Sequence, residues 1–320
     1  MTGGLFRAAC GFVVLMAAVW LLAEYFGIPA KAGPHALLAF LSLSLLLAPY
    51  WGFGFGLADW LRAGLTSSAS RVAAACLLLV PYLVFAVPTA QFRWAILAGL
   101  LAILLVVSGL LESAGSFETG WREWLVLVLL ALAVESHVFD RAWVISGFSA
   151  LPKLLMVDLG LYGFLVVRPI GGIGYDFRPK ARDLMIGLRE FLLFTPIALV
   201  LGLATAFLHL HSTLASPGQF AAGWVFTLFF IAVPEELFFR GLLLNLLDRK
   251  IGMRYALLVS SLLFGLAHFN KRAAYFNWRY VLLAAIAGVF YGRAWLDRRR
   301  VLSSSIAHAT VDTVWSIWLR

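Results

Sequence analysis

Long apolar runs govern what this sequence can fold into. Stretches of roughly 17 to 25 residues recur from end to end, the length that carries a helix across a bilayer. They fall at residues 8–26, 35–57, 72–88, 94–111, 143–167, 185–208, 220–247, 254–269, 280–296 and 301–318, with a shorter run at 124–134. Backbone groups in lipid must be paired within the segment, and no alternating barrel pattern is present, so the spans are read as helices. Composition agrees: 62% of the 320 residues are hydrophobic and 13% are charged, against about half and a quarter in soluble domains. The expected fold class is all-α, a polytopic transmembrane helix bundle of about eleven spans.

The formal net charge of +9 is what cytoplasmic loops facing anionic lipid carry. Membrane lipids are therefore the expected partners, and nucleic acid is not. Cys10 and Cys76 provide neither a disulfide framework nor metal-knuckle spacing. Near the N-terminus, Ala30-Lys31-Ala32 has the small residues of a cleavage site. The apolar run before it is longer than a signal core, so it is read as a first transmembrane helix. The most polar connection spans residues 168–183. Its glycines do not form a phosphate loop, because no Gly-Lys-Ser/Thr follows and no strand precedes. It is the expected boundary between residues 1–170, accessory spans, and a core at 171–320. Basic residues in 168–183, 248–254 and 297–300 place those connections in the cytoplasm, although Lys271, Arg272 and Arg279 fall on the other side. Short connections suggest a bacterial cytoplasmic (inner) membrane.

Within the run at 220–247 lies Pro-Glu-Glu-Leu-Phe-Phe-Arg-Gly, Pro234–Gly241. Charged groups at that depth cost at least about 2.5 kcal/mol each on insertion scales, so they need partners and mark a site. Glu236 and Arg240 are i, i+4 and share a helix face, while Glu235 is turned about 100° away. Two further runs carry polar residues, His268 in one and His308 with Asp312 in the other. At 1.5 Å per residue, Glu235, His268, His308 and Asp312 lie about 12–21 Å from the basic side, so they can share one layer. Two carboxylates and two histidines in a dry layer suit hydrolysis. Glu235 would be the general base for a water that His268 also holds, and His308 would polarise the scissile carbonyl. A zinc site at Glu235, His268 and His308 is the alternative chemistry. Otherwise no cofactor is expected. Ser303, Ser304 and Ser305 read as a helix start, which disfavours a serine nucleophile.

With Glu235-Glu236-Leu-Phe-Phe-Arg240, Phe264-Gly-Leu-Ala-His268 and His308-Ala-Thr-Val-Asp312 in this order, residues 185–320 resemble the CAAX-protease and bacteriocin-processing family of intramembrane proteases. This family, called CPBP or ABI, includes the Ras-converting CAAX endopeptidases. The resemblance implies a helical core around a water-filled chamber and a glutamate-activated water. By position, Glu235 matches the activating glutamate and His268 its partner. His308 and Asp312 match the oxyanion-side pair, and Glu236 with Arg240 the structural pair. Asp312 stands where better-understood members have Asn, and a carboxyl donates a hydrogen bond only when protonated.

The expected function is an intramembrane endopeptidase acting on a membrane-associated protein or peptide. The alternatives are a non-proteolytic scaffold or immunity-type protein of the same fold, and a proton-coupled transporter, for which inverted repeats are missing. His209, His211, Glu135 and His137 read as interfacial. Asp158 is an extra charge within an apolar run and reads as helix packing.

Overall fold

The computed structural model describes residues 2–114, 119–212, 215–271 and 275–319. Among these there is no strand, and the chain is an all-helical integral membrane protein. Among the described residues, seven helices are long and apolar enough to cross a membrane: Gly4–Tyr25, Ile28–Phe53, Ser68–Ala86, Trp94–Glu112, Ala181–Ala204, Pro217–Ile251 and Trp278–Arg298. The other four expected spans are helical but differ from expectation. Trp121–Glu135 and Met253–Leu266 are about 21–23 Å long, short of a ~30 Å hydrocarbon core. The run at 143–167 becomes helical only at Leu151, with Pro152 in the first turn, and closes in a π-helical turn at Gly163–Val167. Val301–Trp318 has 18 residues, but three serines, His308, Thr310 and Asp312 reduce its hydropathy. Arg272, which argued against the expected orientation, lies outside the described residues.

The chain divides into two compact units, Met1–Ile170 and Gly171–Arg320. In the first, buried polar groups tie helices together. Ser42 Oγ donates to Pro81 O and accepts from Trp143 Nε1. Arg71 pairs with Glu112, and Arg168 Nε lies 2.9 Å from the buried Glu123. Asp158 is fully buried, and neither carboxyl oxygen has a hydrogen-bond partner. His137, half exposed, contacts Asp140.

The second unit is built around Val301–Trp318, which packs against Ala181–Ala204, Trp278–Arg298 and the composite helix Pro217–Ile251. The segment before Ala181 fastens the base of that helix. Gly174 has φ +76°, and a Cβ there would stand 1.8 Å from the carbonyl oxygen of Arg299; only glycine fits this approach. The approach lets Val301 N donate to Gly174 O at 3.0 Å. Arg300 is nearly buried and donates to both oxygens of Asp183, at 2.7 and 2.9 Å, and to Asp176 at 2.8 Å. Ser303 Oγ adds a bond to Asp183. Gly174, Asp176 and Asp183 thus fix the root of the helix that carries His308.

This fastening has a pH signature. Burial opposes ionisation of Asp176, but hydrogen bonds from Arg178 and Arg300 outweigh it and hold the carboxyl below its ordinary value. The contribution is present above the unfolded pKa of about 3.9 and is lost as pH falls through the lower folded value. Asp176→Asn is therefore expected to lower the unfolding midpoint in detergent at neutral pH, with the difference from wild type shrinking below about pH 4. A difference constant with pH would contradict this assignment.

Candidate active site

The glutamates sit on an interrupted helix. Pro217–Thr227 is α-helical, Leu228–Ala232 is a π turn, Val233–Glu236 is α-helical, Leu237–Leu244 is π-helical, and Asn245–Ile251 returns to α. Pro234 has no N–H to donate and would crowd the turn before it in a regular α-helix. The wider turns on either side absorb this misfit, and such π segments are frequent at functional sites.

Glu236 is completely buried and meets three side chains, one on its own helix and two on Val301–Trp318. Its Oε2 accepts from Ser304 Oγ and lies 3.1 Å from Arg240 Nε in an ion pair. Its Oε1 lies 2.8 Å from His308 Nδ1. Arg240, 1% exposed, donates through Nη2 to Gly288 O at 3.0 Å, and its guanidinium carbon is 4.4 Å from the Phe264 ring centre. A side chain at position 288 would press on Ser261 and on Arg240 itself, so glycine opens the space the guanidinium uses. Glu236 and Arg240 thus pair as their spacing predicts, but Glu236 also holds an imidazole.

His308 is fixed on two sides. Tyr291 stacks on it with ring centres 4.6 Å apart and planes 13° apart. With Nδ1 donating to a carboxylate, Nε2 is the nitrogen left for chemistry. Nε2 lies 3.5 Å from Asp312 Oδ2 and 3.9 Å from Glu235 Oε2. Glu235 Oε2 has no hydrogen-bond partner, although the side chain is 36% exposed. The cluster therefore contains three carboxylates: Glu236, anchored by hydrogen bonds; Asp312, 3.5 Å from Nε2; and Glu235, whose buried Oε2 has no hydrogen-bond partner.

His268 approaches from Met253–Leu266, just past its last turn. Its Nδ1 is 2.8 Å from Phe264 O. A carbonyl only accepts, so Nδ1 carries the proton and the neutral ring keeps an open lone pair at Nε2. Phe264 stands between the two imidazoles, with ring centres 4.9 Å from His268 and 5.6 Å from His308. The structure thus sets His308, rather than His268, within 4 Å of Glu235.

An apolar cavity, partly open to the surroundings, meets this cluster. His268, His308 and Asp312 form part of its wall, with Phe191, Phe194, Phe207 and Trp315 among its apolar lining. Glu235 flanks the cavity rather than lining it. Among the described residues, no group of three His, Cys, Asp or Glu side chains is arranged to hold a metal ion. His209 and His211 are exposed and remote in role; their backbone N–H groups bond the carbonyls of Leu319 and Trp318.

Besides Tyr291, Ser304 is the participant that the sequence reading missed. The signal was its spacing: Ser304, His308 and Asp312 recur at i, i+4 and i+8 and form one polar stripe on a helix.

Residues 217–314 match the family described as Type II CAAX prenyl endopeptidase Rce1-like. The matched part contains Glu235, Glu236, Arg240, His268, His308 and Asp312. No curated protein and no solved structure matches the chain.

Proposed function

We propose that this chain, whose residues 217–314 match the Rce1-like family, is an intramembrane endopeptidase that hydrolyses a peptide bond of a membrane-associated protein or peptide. The observation that carries the reading is the unengaged Glu235 carboxylate oxygen beside an imidazole whose other nitrogen is anchored. Glu235 takes a proton from water as the water oxygen attacks the scissile carbonyl. His268, with its open Nε2, holds that water. His308 Nε2–H stabilises the carbonyl oxygen as it becomes negative, and Asp312 orients this nitrogen or shares its proton. Glu235 then passes its proton to the leaving amine, which restores the carboxylate. Glu236, Arg240 and Tyr291 hold His308 in place. The apolar cavity suits a hydrophobic portion of the substrate.

The test is cleavage of a peptide library by detergent-purified protein, with and without a chelator. Cleavage that persists with chelator supports a glutamate-activated water. Cleavage that the chelator removes and zinc restores would replace that mechanism with zinc held by Glu235, His268 and His308. Orientation with residues 168–183 in the cytoplasm, and a bacterial inner-membrane location, complete the proposal.

A further inference from the structure

Three consecutive serines open the last helix, and all three are fully buried. Ser305 Oγ bonds back to Val301 O within the helix, a common way for an intramembrane serine to satisfy itself. Ser303 Oγ is used by Asp183 in fastening the helix root. Ser304 differs from both. Its Oγ meets Glu236 Oε2 on one helix and Tyr291 O, at 2.8 Å, on another. Those two contacts lead directly to His308. Glu236 bonds the His308 Nδ1 edge, and Tyr291 stacks on the ring face. Ser304 lies one turn before His308 on the same helix face.

We propose that Ser304 is a positioning residue for His308, acting through Glu236 and Tyr291 and not as a nucleophile. Its single hydroxyl proton is shared by two acceptors on two helices, and so sets the distance between the carboxylate edge and the aromatic face that clamp the imidazole. Without it, Glu236 Oε2 keeps only its ion pair with Arg240 Nε, and the carboxylate can rotate away from Nδ1. The consequence for catalysis rests on the endopeptidase reading; the clamp itself does not. The titratable groups facing His308 are Glu235 and Glu236, Asp312 on its own helix, and Tyr291.

The experiment compares wild type, Ser304→Ala and Ser304→Cys by two readouts. The first is peptide cleavage across pH. Ser304→Ala is expected to lower kcat by ~10–100-fold, the scale of a misplaced catalytic group, with KM little changed and an altered pH profile. The second is the imidazole spectrum of ¹⁵N-histidine-labelled protein. The His308 Nδ1–H signal should weaken or shift in Ser304→Ala, and its titration midpoint should move. Ser304→Cys preserves shape with a weaker donor, so it should fall between the two and decides the matter if the alanine variant fails to fold. A wild-type His308 spectrum and titration in the variants would overturn the proposal. If wild type cleaves no peptide, the endopeptidase reading fails, and the spectrum still tests the Ser304 clamp on its own.

Discussion

Glu235→Gln should abolish peptide cleavage, lowering kcat by ~10²–10⁴-fold, the usual contribution of a general base, while leaving thermal stability unchanged. The stability half of this expectation follows from the site's geometry. One Glu235 oxygen has no hydrogen-bond partner, and its nearest basic atom, His308 Nε2, is 3.9 Å away. The substitution therefore leaves no buried charge without its counter-ion. Gln keeps the size and polarity of Glu but cannot take a proton from water at neutral pH. Cleavage assays beside thermal scans in the same detergent check both halves. A Glu235→Gln variant that cleaves at the wild-type rate would sink the endopeptidase reading. Glu236→Gln is the informative contrast, because Glu236 is ion-paired with Arg240 and bonded to His308; it should lose both activity and stability.

The helical membrane class was legible in apolar run length alone, because lipid leaves a chain few alternatives. The Glu236–Arg240 pair was legible too, since i, i+4 groups meet even though the helix there is wound as π rather than α. What escaped was lateral contact. Glu236 meets His308 across 72 positions, and no periodicity along either helix states which faces will turn towards each other. For the same reason the reading had Glu235 and His268 share a water but did not foresee that His308 Nε2 would lie 3.9 Å from Glu235. The number of spans was blurred differently. Residues such as Ser303, His308 and Asp312 reduce the apolarity of the helix they occupy, while Met253–Leu266 stops at the turn that lets His268 Nδ1 reach Phe264 O. The connection at 168–183 looked like a linker, yet Gly174 and Asp183 make it the anchor for the last helix.

Arg240→Met should be the most damaging change to folding, costing about 3–5 kcal/mol, the penalty for leaving one member of a buried ion pair without its partner. Arg240 is 1% exposed, Glu236 is completely buried, and 3.1 Å separates Arg240 Nε from Glu236 Oε2. Methionine matches the stem of arginine and can rest on Phe264 where the guanidinium did, so packing changes little and the loss isolates the charge. The double variant Glu236→Gln/Arg240→Met removes both charges. The glutamine carbonyl oxygen can still accept from His308 Nδ1, so much of the stability should return even though neither single variant is stable. Such coupling is what residues of one network show in a double-mutant cycle. Activity should not return, because a neutral amide holds the His308 ring less firmly than a carboxylate does. Denaturant midpoints for the four proteins, set beside their cleavage rates, separate the two roles. If Arg240→Met unfolds no more readily than wild type, the pair does not hold these helices together, and the damage it causes must be sought in the chemistry at His308.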